Sequence, residues 1–289
     1  MDEELITSIL PEDYEPPEDY WPDDTYFFDV VNSLTNLYVT FRGRYVMAIG
    51  GKVFIPHCGR ECKKLDNRAI IGHLNQNYAI GVFSAMSGSI FLCFDIDLPD
   101  PDVVYKVIHG LCTFGFPKEY IYVSTSGGKG FHVEIFFNGL VYLNLLHNLY
   151  LWVIRTEELD PKKVEFRPTF GQAIKLPLSK HHKTGNICWY LDRDTLEPIK
   201  SIGYVTTIVQ MDRDAVETLI KEKLAKLSFF SENFSSPTHA RFIPSVDYSE
   251  AQYTDEVPMM TGPGMRHNLM KSIAVHERYK GTSQEEISV

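Results

Sequence analysis

The sequence lacks an export signal and a long uninterrupted apolar run. Its N-terminus is acidic, and the most apolar stretch, residues 139–154, is too short to span a bilayer and contains Asn144, His147 and Asn148. Cysteine is scarce, and an odd number of five cysteines is typical of reduced thiols rather than of a disulfide framework. These absences predict a cytoplasmic protein that has no membrane partner.

Lysine and arginine are missing from residues 1–24, which hold ten acidic side chains. The whole chain has 38 acidic and 28 basic residues and a formal charge of −10, so without this segment 28 acidic residues face 28 basic ones. The acidity therefore belongs to a tail that we expect to be disordered. Because the remaining residues are neutral overall, the net charge does not exclude nucleic acid as a partner.

Apolar periodicity predicts the elements that carry the motifs below. Helical spacing occurs at residues 25–37, 66–75 and 139–154, and Asp212 is placed to cap a helix that runs to about residue 228. Strand-like segments occur at residues 38–41, 45–49, 90–97, 164–168 and 187–191.

A glycine-rich turn, Ser-Gly-Gly-Lys-Gly at 126–130, lies between two β-favouring runs and predicts a hairpin. Its glycines let backbone N–H groups approach an anion, and Ser126 and Lys129 add a hydroxyl and a positive charge. His132 follows on the second strand, on the same face as Glu134. The turn therefore either binds a phosphate group or is an ordinary hairpin turn with a solvated lysine.

The P-loop of nucleoside triphosphatases is excluded as the source of this turn. The first glycine of the GxxxxGK[ST] pattern is missing, and Gly130 stands where that pattern needs a metal-binding hydroxyl. A strand, and not a long helix, is predicted to follow.

Two acidic residues end the apolar run that precedes this hairpin. Asp95 and Asp97 fall on one face of the predicted strand, where two like charges are costly unless a cation lies between them. Such a pair suits Mg²⁺ or Mn²⁺. The alternative is that both aspartates only cap the following loop or helix.

Basic residues cluster farther along the chain. Lys175, Lys180 and Lys183, together with His181 and His182, occur over nine residues that contain no acid. A solvated loop explains such charges, but a polyanion site explains why they cluster beside a phosphate-type turn.

A segment rich in possible zinc ligands lies near the N-terminal end, where Cys58 and Cys62 follow His57 and precede His73. These residue types are zinc ligands, but their spacing matches no established four-ligand pattern. Buried free thiols are the alternative explanation.

The order of these motifs resembles that of the archaeo-eukaryotic primase superfamily. A DxD strand is followed by an SGGKGFH hairpin and then by the strand that contains Val164 and Glu165. The chain is most similar to primase-polymerases of plasmids, phages and bacterial defence systems, in which a Lys-Leu-Pro segment and a histidine follow the third motif. The resemblance covers about residues 26–205.

The resemblance implies an α+β fold in which an RRM-like antiparallel sheet is joined to an N-terminal α/β unit. It also implies a catalytic domain at residues 25–230, between the acidic tail (1–24) and a linker (231–261), with the start of a helical module at 262–289. The capping-box pattern of Ser283 and Glu286 is followed by only three residues, so we expect the module to continue in a longer protein.

The same resemblance implies roles for individual residues. Asp95, Asp97 and Glu165 would be the catalytic carboxylates and would bind two divalent ions, Mg²⁺ or Mn²⁺. The family often has aspartate where this chain has Glu165. The residues implied to bind the incoming nucleotide are Ser126, Lys129, His132, Lys175, His181 and Arg44. Arg44 belongs, with Arg42, to a basic element upstream of the three motifs.

The implied function is template-dependent addition of nucleotides to a 3′-hydroxyl. The implied partners are nucleoside triphosphates, a single-stranded DNA template and primer, and a helicase or other replication protein. A metal-dependent nuclease could use the same three acids, and a non-catalytic replication-initiator domain is the other alternative. Relaxase chemistry is excluded, because the His-hydrophobic-His metal motif is missing.

Overall fold

The structure is a computed structural model and describes residues 27–231. The acidic tail, the C-terminal module and all but the first residue of the linker lie outside these residues. The helices are α1 (Phe27–Tyr38), α2 (Asn67–Leu74), α3 (Pro101–Phe114), α4 (Leu143–Thr156) and α5 (Arg213–Ser231), and the short 3₁₀ helices are Lys118–Tyr120 and Ile202–Thr207. The strands are β1 (Val46–Ile49), β2 (Lys52–Phe54), β3 (His57–Cys58), β4 (Glu61–Cys62), β5 (Ala79–Val82), β6 (Gly88–Ile96), β7 (Tyr122–Thr125), β8 (Phe131–Tyr142), β9 (Val164–Arg167), β10 (Ile174–Lys175), β11 (Tyr190–Leu191) and β12 (Pro198–Ile199).

The largest sheet has six antiparallel strands in the order β12-β11-β7-β8-β6-β9. Its two long central strands, β6 and β8, alternate their side chains between the two faces. Leu92 and Phe94 of β6 point to a core formed with α3, α4 and α5. Phe91 and Cys93 point to the opposite face, into a second core that includes α1 and α2.

A smaller antiparallel sheet, in the order β10-β5-β1-β2, contributes Ile80, Val82 and Ile174 to this second core. The hairpin β3-β4 forms a separate two-stranded sheet. The mixture of helices and antiparallel sheets confirms the predicted α+β class. The second core has the site residues described below at its edge.

Helix positions agree with several of the sequence predictions. Asp66 caps α2 by accepting a hydrogen bond from the backbone N–H of Ala69 at 2.9 Å. Asp212 Oδ1 accepts one from Ala215 at 2.9 Å, where α5 begins. These contacts satisfy N–H groups that have no partner within the helix itself.

Three predicted boundaries were wrong, and one of them is the strand expected at 187–191, which comprises only Tyr190–Leu191. The expected strand at 38–41 does not form, because α1 continues through Tyr38, which is fully buried and donates a hydrogen bond to Glu134 Oε2 at 2.9 Å. The helix expected from residue 139 begins only at Leu143, because residues 139–142 belong to the end of β8. There Val141 and Tyr142 pair with the first residues of β6.

None of the helices within residues 27–231 is both long enough and apolar enough to cross a lipid bilayer.

Candidate active site

The carboxylates predicted to bind metal lie at one end of the six-stranded sheet, although their oxygens do not form a group of three within 4.8 Å of one another. Asp95 lies on β6, and Asp97 is the first residue after that strand, which ends at Ile96. Asp95 is opposite Glu165 of β9 on one side and opposite His132 of β8 on the other. Cross-strand neighbours point to the same face of a sheet, so the structure brings Asp95 and Glu165 together.

Negative charge accumulates around Asp95. Burial, together with the charges of Asp97 and Glu165, raises the pKa of this carboxyl to about 7, and the charge of Arg167 opposes the shift. Glu165 is compensated by an ion pair with Arg167, two residues along the same strand. Mg²⁺ and Mn²⁺ prefer oxygen ligands, so Asp95 and Asp97, which form no ion pair with an arginine or lysine within residues 27–231, fit the implied divalent ions. Glu165, by contrast, would have to share its charge with Arg167.

The glycine turn is closed by its own serine. Ser126 Oγ accepts hydrogen bonds from the backbone N–H groups of Gly128 (3.3 Å) and Gly130 (3.1 Å), and Ser126 N–H donates to Gly130 O at 3.0 Å. A Cβ atom at Gly130 would overlap the carbonyl oxygen of Ile96, so the turn lies directly against the end of β6. Glycine is required here because the turn and the strand end that carries Asp95 and Asp97 are in contact.

The turn also packs against the basic segment. Gly127 has a φ of +75°, which favours glycine, and a Cβ atom there would lie 2.8 Å from the Cβ of His181. Its carbonyl oxygen accepts a hydrogen bond from Thr184 Oγ1 at 2.6 Å. The predicted phosphate turn and the predicted basic loop therefore form one unit.

A cavity of about 560 Å³ lies between this unit, the strand end of β6 and the smaller sheet. The polar side chains that line it are Asp95, Asp97, Ser126, Lys129, His132, Lys175, His181 and His182. Its apolar wall comes from the smaller sheet and the residue before β10, namely Val46, Ala48, Val53, Ala79, Ile80, Ala173 and Ile174. Seven of the nine predicted site residues thus face one cavity.

Glu165 lines a different cavity, a groove of about 530 Å³ on the other side of β9. Arg167 lines it too, together with the aromatic rings of His147, Tyr150 and Phe166. The acidic cluster therefore stands between two cavities, with Asp95 facing the first and Glu165 facing the second.

Arg44 is not among the residues that line the first cavity. Its guanidinium lies 4.3 Å from the ring centre of Phe83 and 4.7 Å from that of Phe170, and it donates a hydrogen bond to Phe170 O. Arg42 donates to Leu65 O at 3.0 Å. Both arginines make contacts that hold neighbouring loops, and nucleotide binding by Arg44 stays a prediction.

The histidines of the cavity are held neutral. Burial, with a smaller contribution from Lys175, lowers the pKa of His132 to about 3, and His132 Nε2 lies 3.5 Å from Asp95 Oδ1. Burial and the nearby charge of Lys175 also lower the pKa values of His181 and His182. A neutral imidazole can donate one hydrogen bond and accept another, which suits contact with polar substrate groups.

Helix α2 positions the basic loop. His73 Nδ1 accepts a hydrogen bond from the N–H of Ile80 at 2.9 Å, so Nε2 carries the proton and donates to Pro177 O at 2.8 Å. Gln76 donates to Leu178 O at 3.0 Å and accepts from the N–H of Lys180 at 2.6 Å. Because both ring nitrogens of His73 have protein partners, His73 does not serve as a zinc ligand.

The other proposed zinc ligands lie on the β3-β4 hairpin. Cys62 Sγ is 3.8 Å from His57 Nε2, and Cys58 pairs with Glu61 across the hairpin. Within residues 27–231, no tight group of three possible metal ligands includes Cys62. Zinc at Cys58 and Cys62 stays a prediction.

Sequence reasoning missed the buried polar network behind the cavity. Tyr38 (2.9 Å) and Ser124 (3.3 Å) donate hydrogen bonds to Glu134 Oε2, and the hydroxyls of Tyr38 and Tyr190 are 2.8 Å apart. Burial raises the pKa of Glu134 to about 8, although the two hydrogen bonds oppose the shift. The sequence did contain a signal for this network, because Glu134 is an acidic residue within an apolar strand and lies on the same face as His132.

Comparison with known proteins gives one sequence-level match. The model of the archaeo-eukaryotic primase domain of the TOTE conflict system matches residues 51–219, which is more than half of the chain. No curated protein sequence matches.

Three similar solved structures have low sequence identity. The AEP domain of the cyanophage S-2L primase-polymerase is 14% identical, with 64% of this chain and 97% of that chain covered and a TM-score of 0.37. The polymerase domain of Mycobacterium tuberculosis Ligase D, in complex with DNA, is 15% identical, with coverages of 68% and 88% and a TM-score of 0.38. Primase RepB′ is 8% identical, with coverages of 71% and 64% and a TM-score of 0.39.

Proposed function

Because the chain belongs to the family of archaeo-eukaryotic primase domains of TOTE conflict systems, we propose that it is a primase-polymerase. It would add nucleotides to a 3′-hydroxyl under the direction of a template. The observation that carries this proposal is the cavity in which Asp95 and Asp97 stand beside Lys129 and Lys175. A nucleoside triphosphate presents the complementary charges, because its phosphates attract both lysines and the divalent ions that the acids would hold.

The carboxylates and the basic side chains have separate tasks in this proposal. When bound by Asp95, Asp97 and Glu165, two divalent ions would activate the attacking hydroxyl and stabilise the leaving pyrophosphate. The exposed Lys129 and the half-buried Lys175 bind and orient the triphosphate by charge-assisted hydrogen bonds. His132 adds a neutral contact beside Asp95.

The apolar wall gives the rest of the nucleotide a surface to bind. Ala48, Ala79 and Ile174 line the cavity across from the charged residues. A volume of about 560 Å³ is within the range of small-molecule sites. We assign the base and sugar to this wall and the phosphates to the glycine turn. The small side chains there leave room for a flat ring.

The two cavities on either side of the acids suit two reacting groups. The incoming nucleotide occupies the cavity that contains Asp95, and the strand that is extended approaches from the side of Glu165. The partners are therefore nucleoside triphosphates, a template strand and a primer. A helicase partner stays a prediction.

A primer-extension assay tests this function. The protein is incubated with an unlabelled template and either a labelled primer or, without a primer, labelled nucleotides, and with either NTPs or dNTPs in the presence of Mg²⁺ or Mn²⁺. We expect product strands longer than the primer, and no such products with the double variant D95N/D97N. Shortening of the labelled strand without extension under any of these conditions would indicate a nuclease and overturn the proposal.

A further inference from the structure

Three potential metal ligands converge behind the nucleotide cavity. Cys93 of β6 is the cross-strand partner of Glu134 of β8, and His132 lies two residues before Glu134 on the same face. One ligand atom from each of these side chains lies within 4.8 Å of the other two. Among the residues that the structure describes, no other group of three possible metal ligands lies within this distance.

The three side chains are removed from solvent, and two of their polar atoms have no partner. Cys93 and Glu134 have no exposed surface and His132 has 3%. His132 Nδ1 and Glu134 Oε1 are both buried without a hydrogen bond, although buried polar atoms are nearly always paired. Glu134 Oε2 already accepts hydrogen bonds from Tyr38 and Ser124, so the unpartnered oxygen is the one left for another group.

We propose that Cys93, His132 and Glu134 bind one zinc ion through Sγ, Nδ1 and Oε1. Thiolate, imidazole and carboxylate are the usual ligands of zinc, and a thiolate disfavours Mg²⁺. Neighbouring ligand atoms of a tetrahedral zinc ion lie about 3.5 Å apart. Side chains already within 4.8 Å of one another reach this spacing by small rotations.

This zinc site is separate from the carboxylate site. Asp95 and Asp97 offer only oxygen ligands toward the open cavity, whereas Cys93 and Glu134 are closed off behind it. His132 connects the two, because its Nε2 lies 3.5 Å from Asp95 Oδ1. Zinc on Nδ1 would leave the proton on Nε2 and make that atom a hydrogen-bond donor toward the cavity.

The consequence for substrate binding rests on the proposed function. A fixed Nε2–H donor would contact a phosphate oxygen of the incoming nucleotide, so loss of zinc should weaken nucleotide binding. The presence of the ion itself does not depend on that function.

The test measures metal content in the full chain and in cysteine variants. Wild type, C93S, C62S and C112S are dialysed against Mg²⁺-containing buffer, and zinc per chain is determined by mass spectrometry. Cys62 represents the β3-β4 hairpin, and Cys112 is a half-buried thiol on α3. We expect C93S to lose one equivalent of zinc relative to C112S, and C62S to keep a sulfur-to-cobalt absorption band after Co²⁺ substitution.

Several outcomes overturn the inference. Zinc content in C93S equal to that of C112S would do so. So would the absence of zinc from wild type together with the absence of a cobalt–thiolate band from C62S, and a water molecule that bridges the three groups would then be the explanation. If C93S fails to fold, the zinc content of E134Q relative to wild type tests the site instead. A chain that extends primers without zinc refutes this inference alone, and a chain that binds zinc through Cys93 without extending primers refutes only the proposed function.

Discussion

Asp95 and Glu165 occupy opposing positions on the neighbouring strands β6 and β9, so two carboxylates point to the same side of the sheet. Like charges in this arrangement destabilise a sheet. Glu165 is paired with Arg167, whereas the nearest side-chain partner of Asp95 is the neutral His132, at 3.5 Å. The arrangement lowers stability, and a bound cation, as in the proposed function, would offset this cost.

Replacing Asp95 by asparagine should therefore stabilise the fold while removing activity. The pKa of Asp95 is raised from 3.8 to about 7, so at pH 8 its ionisation costs the folded state stability, on the order of a few kcal/mol. We expect D95N to unfold at a higher denaturant concentration than wild type in EDTA at pH 8. Its nucleotide addition should fall by about 100-fold or more.

D194N is the matched control for this experiment, because Asp194 is an exposed aspartate paired with Lys118. It should keep both stability and activity within the range of surface substitutions. A D95N protein with near-normal turnover would show that Asp95 is not a metal ligand.

Lys129 should contribute to nucleotide affinity rather than to stability. It is exposed on the glycine turn and lines the cavity beside Asp97. Loss of a charge-assisted contact costs about 1.5–3 kcal/mol, so K129A should weaken nucleotide binding by roughly 10-fold to 150-fold in calorimetry.

K183A is the control for Lys129, because Lys183 is exposed on the neighbouring basic loop but does not line the cavity. Its nucleotide affinity should stay close to that of wild type, and template affinity should change little in both variants. Equal nucleotide affinities of K129A and wild type would contradict triphosphate binding by the turn.

Gly130 couples the turn to the end of β6, next to Asp97. Any Cβ atom at this position would overlap Ile96 O, so G130A must displace either the turn or the residues next to Asp97. We expect a loss of about 1–3 kcal/mol in the free energy of unfolding, together with a lower kcat. G171A is the matched control, since nothing lies within 4 Å of a Cβ atom there. Unchanged stability of G130A in urea denaturation would argue against this contact.

Local patterns allowed the motifs of the candidate site to be predicted from the sequence. Strand alternation predicted a shared face for Asp95 and Asp97, but β6 ends at Ile96, so Asp97 lies just beyond the strand. The hairpin predicted around residues 126–130 is confirmed by the pairing of β7 with β8. Such patterns depend only on neighbours in the chain. For the same reason the caps at Asp66 and Asp212 were recognisable.

Contacts between distant segments could not be predicted in this way. The apolar wall comes from strands as short as β10, which has two residues and becomes a strand only because it pairs with β5. The end of α1 is fixed by the hydrogen bond between Tyr38 and Glu134, 96 residues apart. Partners this far apart leave no periodic signal near either residue.

The last prediction concerns His73, which positions the basic loop through Pro177. Burial lowers its pKa from 6.5 to about 3, so between these pH values the unfolded chain binds a proton that the folded protein does not. The stability that His73 contributes is therefore complete above pH 6.5 and is lost as the pH falls toward 3. The loss is about 1.4 kcal/mol for each pH unit.

The variant H73N isolates this effect from other titrating groups. His132 shifts in the same direction, and Asp95 and Glu134 shift in the opposite one, but these three titrate in both proteins and cancel in the difference. H73N should be less stable than wild type at pH 7.5, and the difference in unfolding free energy should shrink by about 2 kcal/mol at pH 5. Urea denaturation at both pH values measures it, and a difference that is independent of pH would mean that His73 has the same pKa in the folded and the unfolded chain.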